Sequence, residues 1–327
     1  MAVKARLLTA EDVDRCLSMN EVIDALADAF QALQQGQVDM PLRTALPIPE
    51  AQANSLMMPV YMSSLNMIGV KVVNIFKNNL ELGLPAIHAL IMLFDGSTGQ
   101  PLALLDGERI TALRTGAVCG LASRYLARED SHVVAIIGAG IQGRSLLEAM
   151  MAVRPIRKVL VIDKDLQRAN LFISEMSQKY GVIFQLSDTG QLLEADIVCT
   201  ATTSEKPVFD ASHLTAGTHI NGVGSYRPQT QEIPEQIVSQ AKIVVDLKSA
   251  ALKEAGDLIV PLKKGLISEE RIYAELGQLV VGEKAGRSND QEITFFKSVG
   301  LALQDLATAH LALQKAQQQD LGSEIFI

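Results

Sequence analysis

The spacing of apolar positions divides the chain into two textures. In the first, Ser18-Met19-Asn20-Glu21 forms a capping box, where the serine accepts a backbone N–H and Glu21 reaches back to the cap. Behind it Val22, Ile23, Leu26, Ala29, Phe30 and Leu33 recur at helical spacing, and Gly36 supplies the stop. Pro41, Pro47 and Pro49 then exclude a regular helix. From Ser55 to Asp106 the text is strand-like. Ile68 to Phe76 is rich in β-branched residues, and Ile87 to Phe94 and Pro101 to Leu105 flank the hairpin loop Asp95-Gly96-Ser97-Thr98-Gly99. A helix follows from about Arg109 to Ala127, with Ile110, Leu113, Ala117, Leu121 and Leu126 on one side.

At Val133 the texture changes. Val133 to Ile137 is a short, wholly apolar run, the mark of a buried parallel strand. Val159 to Ile162, Ile197 to Thr200, His219 to Val223 and Ile243 to Val245 repeat it, with helical or loop segments between. The alternation predicts an α/β chain, with a Rossmann-type doubly wound parallel sheet over residues 131–298. A second, α+β domain would consist of residues 1–130 together with 299–327. A last long helix is expected from roughly Glu292 to Gln317, returning to the first half, and the Gln-rich tail after Ala316 is expected to fray. There is no internal repeat and no low-complexity linker.

Composition narrows the function classes. Of 327 residues 48% are hydrophobic and 20% charged, which supplies a real core and excludes wholesale disorder. Lys and Arg number 29 against 37 Asp and Glu, a formal charge of -8, and no stretch concentrates the cations, so no nucleic-acid partner is expected. Aromatic content of 4% without Trp offers no stacking platform. Cys16, Cys119 and Cys199 are odd in number and far apart, which suits reduced thiols in the cytoplasm. No apolar run reaches roughly 18 residues, so no membrane-spanning helix is expected. Glu11, Asp12 and Asp14 come before any long apolar run, so no secretory signal is expected either.

Gly138-Ala139-Gly140-Ile141-Gln142-Gly143 is G-x-G-x-x-G, directly after an apolar strand and opening a helix. The first glycine makes the turn, the second lets pyrophosphate approach, and the third allows close helix–strand packing. The helix N-terminus faces the phosphates. The next strand ends at Asp163, twenty positions after Gly143 (163 − 143), where a carboxylate binds ribose hydroxyls. That carboxylate repels a 2′-phosphate and favours NAD(H), while Lys164 and Arg168 nearby could tolerate NADP(H). Thr200, Ala201 and Thr202 follow a strand end and are candidates for the cofactor edge or merely for capping the next turn. Val223 and Gly224, at the end of the next strand, are assigned to the same edge.

Outside the sheet domain, Arg43, Lys71 and Arg114 stand in MPLRTA, IGVKVVN and ITALRTGA. Lys71 lies in an apolar strand and faces either solvent or a pocket; three cations far apart prove nothing alone. His88, between apolar neighbours, lines a substrate pocket or is a hydrogen-bonded structural histidine. No histidine shows metal spacing, HExxH and CxxC are absent, and so are a GK[ST] ending and a G-x-S-x-G elbow.

The chain resembles the ornithine cyclodeaminase/μ-crystallin family, which includes archaeal-type alanine dehydrogenases and ketimine reductases. The resemblance runs from Met58-Pro59 through GVKVVN, LFDGSTGQPLALLDG, ITALRTGA, IGAGIQG and NGVGSYRP to GRSNDQEITFFKSVGLALQDLA. It implies a clamp of Arg43, Lys71 and Arg114 on the substrate α-carboxylate, with bidentate arginine orienting Cα toward hydride. It also implies that Lys297, Ser298 and Gly300 bring the chain back beside the nicotinamide, the alternative being helix surface and a packing glycine. Two family acids are missing. Tyr226 in Gly224-Ser225-Tyr226-Arg227-Pro228 stands where cyclodeaminases carry an acid, and Leu56 replaces a glutamate three positions before Pro59.

The resemblance therefore points to an NAD(P)H-dependent reductase or dehydrogenase of small α-imino or α-amino acids. Cyclic ketimines such as 1-pyrroline-2-carboxylate, or pyruvate plus ammonia, are the expected substrates. Arg43, Lys71, Arg114, His88 and Tyr226 would form the substrate site, and a homodimer is expected. The rivals are an ornithine cyclodeaminase and a non-catalytic, crystallin-like ligand binder.

Overall fold

The structure, a computed structural model, describes residues 3–327, with the side chains of Lys77 and Leu80 set aside. The first two residues of the expected 1–130 domain lie outside it. The described chain divides into two compact units. Unit 1 runs to Arg114 and resumes at Leu301; unit 2 is Thr115–Gly300.

Unit 1 begins with β1 (Lys4–Leu8), α1 (Ala10–Cys16) and α2 (Met19–Gln34). Ser18 and Glu21 make the reciprocal capping box at the start of α2, whose Val22, Ile23, Leu26, Ala29 and Phe30 are buried. Then come β2 (Val38–Asp39), β3 (Thr44–Ile48), β4 (Ala53–Met62), β5 (Met67–Phe76), β6 (Ile87–Asp95) and β7 (Pro101–Asp106). Helix α3 (Gly107–Leu126) carries the chain into unit 2.

Unit 2 alternates β8 (Val133–Ile137), α4 (Ile141–Val153), β9 (Lys158–Ile162), α5 (Leu166–Lys179), β10 (Ile183–Leu186), β11 (Ile197–Thr200) and β12 (His219–Gly222). It continues with α6 (Glu235–Gln240), β13 (Lys242–Val245), α7 (Lys248–Glu254), α8 (Gly256–Lys263), β14 (Ile272–Glu275), α9 (Leu276–Val280) and β15 (Thr294–Lys297). The chain returns to unit 1 for α10 (Ala302–Gln319) and β16 (Ser323–Phe326).

The unit 2 sheet has the order β10-β9-β8-β11-β12-β15-β13-β14, and every pair in it is parallel. The order reverses direction between β8 and β11, the switch point at which doubly wound sheets bind ligands. The unit 1 sheet, β16-β1-β7-β6-β5-β4-β2 with β3 on β4, is antiparallel except for β1 beside β7.

Register gives the unit 1 sheet two distinct faces, because residues paired directly across antiparallel strands project to the same side. Met58, Lys71, Ile91 and Leu105 pair in one row, and all are buried. Helix α10 covers this inner face: a Cβ on Gly69 would lie 2.8 Å from Leu306 Cδ1. The neighbouring row, Met57, Val72, Leu90 and Asp106, belongs to the outer face, where Leu90 is 51% exposed.

Three expectations change. The helix foreseen from Glu292 begins only at Ala302, because Thr294–Lys297 enters the unit 2 sheet as β15 between β12 and β13. Its four residues are all buried, and Thr-Phe-Phe suits a pleated interior strand better than a surface helix. The tail does not fray after Ala316: α10 reaches Gln319, Asp320 turns left-handed, and β16 pairs with β1. The division between units falls inside α3, after Arg114, rather than at residue 130.

Candidate active site

The inner face of unit 1 holds a buried charge cluster. Lys71, 3% exposed on β5, places Nζ 2.6 Å from Asp305 Oδ2; Asp305, on α10, is 2% exposed. The other oxygen of that carboxylate accepts Arg114 Nε at 3.0 Å, and Arg114 Nη1 donates to Gln304 Oε1 at 2.9 Å. Thr111, one turn before Arg114 on α3, faces Lys71 Nζ at 3.5 Å. One aspartate thus holds together two cations from different elements. Arg43, half-buried just before β3, adds a third positive charge that bears on Lys71.

Burial pulls the Lys71 ammonium down to about 8, against the attraction of Asp305, and the charges of Arg114 and Arg43 pull the same way as burial. Lys71 and Arg114 share the single carboxylate of Asp305, a buried arrangement that suits an anionic ligand. A lysine titrating near 8 can also exchange a proton at neutral pH. Asp305 and Gln304 lie in the GLALQDLA segment but were not singled out in the sequence. The signal available was an acid at a helical position otherwise occupied by Leu and Ala.

His88 does not join this cluster. It pairs with Asn74, on the outer face of the sheet, whereas Lys71 points inward. It is half-exposed and stands 3.4 Å from Glu108. Leu56, by contrast, pairs with Val73 and so shares the face of Lys71. An uncharged residue therefore stands on the face of Lys71 at the position where the resemblance leads one to look for a glutamate. Tyr226 lies in unit 2, in the loop after β12, 39% exposed with Arg227 over its ring.

The glycine turn of unit 2 is built as its spacing requires. Gly138 has φ 103°, closed to ordinary side chains, and its N–H donates to Ile162 at 2.9 Å. A Cβ on Gly143 would overlap the Gly138 carbonyl oxygen, so α4 meets β8 only with glycine there. A Cβ on Gly140 would meet nothing within 4 Å, leaving the turn open on its outer side. No side chain caps the α4 N-terminus; Ile141 there is exposed and Gln142 half-buried. This is a cradle fit for a pyrophosphate. Asp163 ties into it: Oδ2 accepts the Ala139 N–H at 2.8 Å and Oδ1 the Asp165 N–H at 2.9 Å. A carboxylate has about four lone-pair sites, so two such bonds leave capacity for ribose hydroxyls. Lys164 is exposed, and Arg168 stands 3.9 Å from Asp163.

Along the sheet edge, Ala201 and Thr202 are half-buried in the loop after β11, and the Val223 N–H donates to Thr200 at 3.0 Å. Four of the candidate positions on this edge have internal partners. The Thr200 hydroxyl is buried against Glu232 at 2.9 Å. Lys297 is wholly buried, 2.9 Å from Asp257. Ser298 donates to Asp246 at 2.9 Å, and the Gly300 N–H reaches the same oxygen. Lys297, Ser298 and Gly300 thus also anchor the end of β15 internally, at the carboxyl edge of the sheet.

Comparisons with known proteins agree with this arrangement. The family model for the ornithine cyclodeaminase/mu-crystallin family matches residues 3–320. A Δ1-pyrroline-2-carboxylate reductase of Bacillus cereus is 41% identical over 322 residues, 98% of this chain and 99% of its own. The structure of the Thermococcus litoralis Δ1-pyrroline-2-carboxylate reductase in complex with NADH and L-proline superposes with TM-score 0.94 at 42% identity, covering 98% of this chain and 100% of that one. An archaeal alanine dehydrogenase dimer with bound NAD gives TM-score 0.92 at 36% identity, covering 98% and 99%. The two-unit fold, the intact glycine turn and a match across nearly the whole chain lead to one assignment: this chain belongs to the ornithine cyclodeaminase/mu-crystallin family.

Proposed function

We propose that this protein is an NAD(H)-dependent reductase of small α-imino acids, with Δ1-pyrroline-2-carboxylate as the leading substrate and the pyruvate–ammonia–alanine reaction second. The observation that carries the reading is the buried Lys71–Asp305–Arg114 cluster, in a chain 41% identical along its length to a reductase of that substrate. Unit 1 takes the substrate and unit 2 the dinucleotide, on Gly138, Gly140, Ile141, Gln142, Gly143 and Asp163, with the loops at Ala201–Thr202 and Val223–Gly224 completing the edge. Bound NADH supplies a hydride.

The chain's own groups do the rest. Arg114 Nε and Nη1 are engaged by Asp305 and Gln304, so its Nη2 edge is the one offered to a substrate carboxylate. Arg43 adds a second contact to the same carboxylate. Lys71, titrating near 8, delivers a proton to the imine nitrogen as Cα accepts hydride, which balances reduction of the C=N bond. Tyr226 is a further, uncharged hydrogen-bonding candidate for the substrate. NADP(H) is the weaker cofactor, because Asp163 opposes a 2′-phosphate.

The outer face of the unit 1 sheet supports a homodimer: Met57, Tyr61 and Leu90 are large, apolar and exposed together. Its measure is solution mass by light scattering, a monomer counting against it. A cytoplasmic location is consistent with three buried free cysteines. The deciding assay incubates the purified protein with Δ1-pyrroline-2-carboxylate and NADH, and separately with L-ornithine and NAD. NADH consumption in the first, with little proline or ammonia in the second, is the expected result. Brisk proline formation from ornithine makes the protein a cyclodeaminase, and no change in either makes it a binder.

A further inference from the structure

At the carboxyl edge of the unit 2 sheet one buried carboxylate ties two loops together. Glu232 is fully buried. Its Oε1 accepts the Thr202 N–H at 2.6 Å, and its Oε2 accepts the Gly224 N–H at 2.6 Å and the Thr200 hydroxyl at 2.9 Å. Thr202 follows β11 and Gly224 follows β12, beside the switch point of the sheet. A Cβ on Gly224 would overlap the Thr202 carbonyl oxygen, and one on Gly138 would collide with the Ala201 carbonyl. The loop after β11 is therefore wedged between the glycine turn on one side and the Glu232 carboxylate on the other.

Glu232 is itself anchored. Asp257 Oδ1 accepts the N–H groups of Glu232 and Ile233 at 2.7 and 3.0 Å, and Asp257 Oδ2 pairs with Lys297. All three charged side chains are fully buried. An interior that needed only packing would fill this space with apolar groups at lower cost. Burial raises the proton affinity of the Glu232 carboxyl, against the pull of Lys297, and the two N–H groups facing it can only donate, so each of its oxygens must accept.

The geometry points to Glu232 as a positioning residue for the dinucleotide: its carboxylate sets the loops after β11 and β12 at the spacing the cofactor requires, without touching the cofactor. Thr200 acts through it. The inference rests on the reading of unit 2 as the NAD(H) domain.

The test is NADH binding to the full-length protein, followed by NADH fluorescence without imino acid. No binding by the unaltered protein overturns the reading and the inference together. If it binds, Glu232→Gln should raise Kd at least about tenfold, since an amide nitrogen would meet donors it cannot accept from. Thr200→Val should raise it about threefold and Thr200→Ser should restore it, as loss of one hydrogen bond implies. KM for the imino acid at saturating NADH should change less than the NADH Kd, because Lys71, Arg43 and Arg114 lie in unit 1 and only Tyr226 shares the loop after β12. Arg154→Ala is the control for general loosening of unit 2: it should lower Tm and leave Kd unchanged. Unaltered Kd in Glu232→Gln, or equal weakening in Arg154→Ala, overturns the inference. Should Glu232→Gln fail to fold, equal affinity in Thr200→Val and the unaltered protein overturns it.

Discussion

Asp305 stands between Lys71 and Arg114, 2.6 Å from the ammonium and 3.0 Å from the guanidinium, and raises the proton affinity that burial takes from the lysine. Removing that charge leaves burial, Arg114 and Arg43 to lower the proton affinity of Lys71, with the Thr111 hydroxyl beside it. In Asp305→Asn, Lys71 should lose its proton at lower pH. The alkaline limb of kcat/KM, set by Lys71 near 8, should move down by at least about one pH unit. NADH affinity should stay the same. A pH–rate profile is the measurement, and an unmoved limb would take Lys71 out of the proton transfer.

Lys71→Ala and Arg114→Ala should each lower kcat/KM for the imino acid at least about a hundredfold: Arg114 because a charged contact to a carboxylate in a dry site contributes roughly 3 kcal/mol, Lys71 because the imine nitrogen loses its proton donor. NADH Kd should barely change in either. Steady-state kinetics alongside NADH titration will show whether the loss is confined to the imino acid.

Asp163→Ser should raise the use of NADPH relative to NADH, by removing the charge that repels a 2′-phosphate while Lys164 and Arg168 remain. The ratio of kcat/KM for the two cofactors reads the effect. An unchanged ratio would assign recognition of the ribose to another group.

Arg154→Ala should destabilise unit 2. Its guanidinium donates to the carbonyls of Ser123, Arg124, Ala127 and Arg128, closing the C-terminal end of α3. Losing these partners from a half-buried helix end should cost about 2–3 kcal/mol and lower Tm by several degrees. A thermal melt at fixed pH checks it, and an unchanged Tm would mean that water replaces the arginine.

In unit 2, β10 and β14 were not anticipated, whereas β8, β9, β11, β12 and β13 were legible because short, mostly apolar runs recur between helical or loop segments, the first of them followed by a glycine turn. β15 was not, because Ile293-Thr294-Phe295-Phe296 abuts a long helical pattern and its partners β12 and β13 lie far away in sequence. Lys71 and Arg114 could be picked out by motif, but the residue joining them could not. An aspartate amid Leu and Ala on α10 looks like a solvated helix position until β5 and α3 pack against it. The face His88 takes was hidden for the opposite reason. Its apolar neighbours say that it lies on a strand, but the side of the sheet follows only from its pairing with Asn74.

The placement of unit 2 between Arg114 and Leu301 sets an order of assembly during translation. The glycine turn and all eight strands of its sheet lie within one uninterrupted stretch, and leave the ribosome before Asp305 does. The nascent chain can thus complete its nucleotide domain while Lys71 still lacks its counter-charge, and the β5–α10 contact must wait for residues more than two hundred positions later. In such a chain a cofactor captured early would favour the folded state of the inserted domain by mass action, while β5 and its neighbours await their last helix.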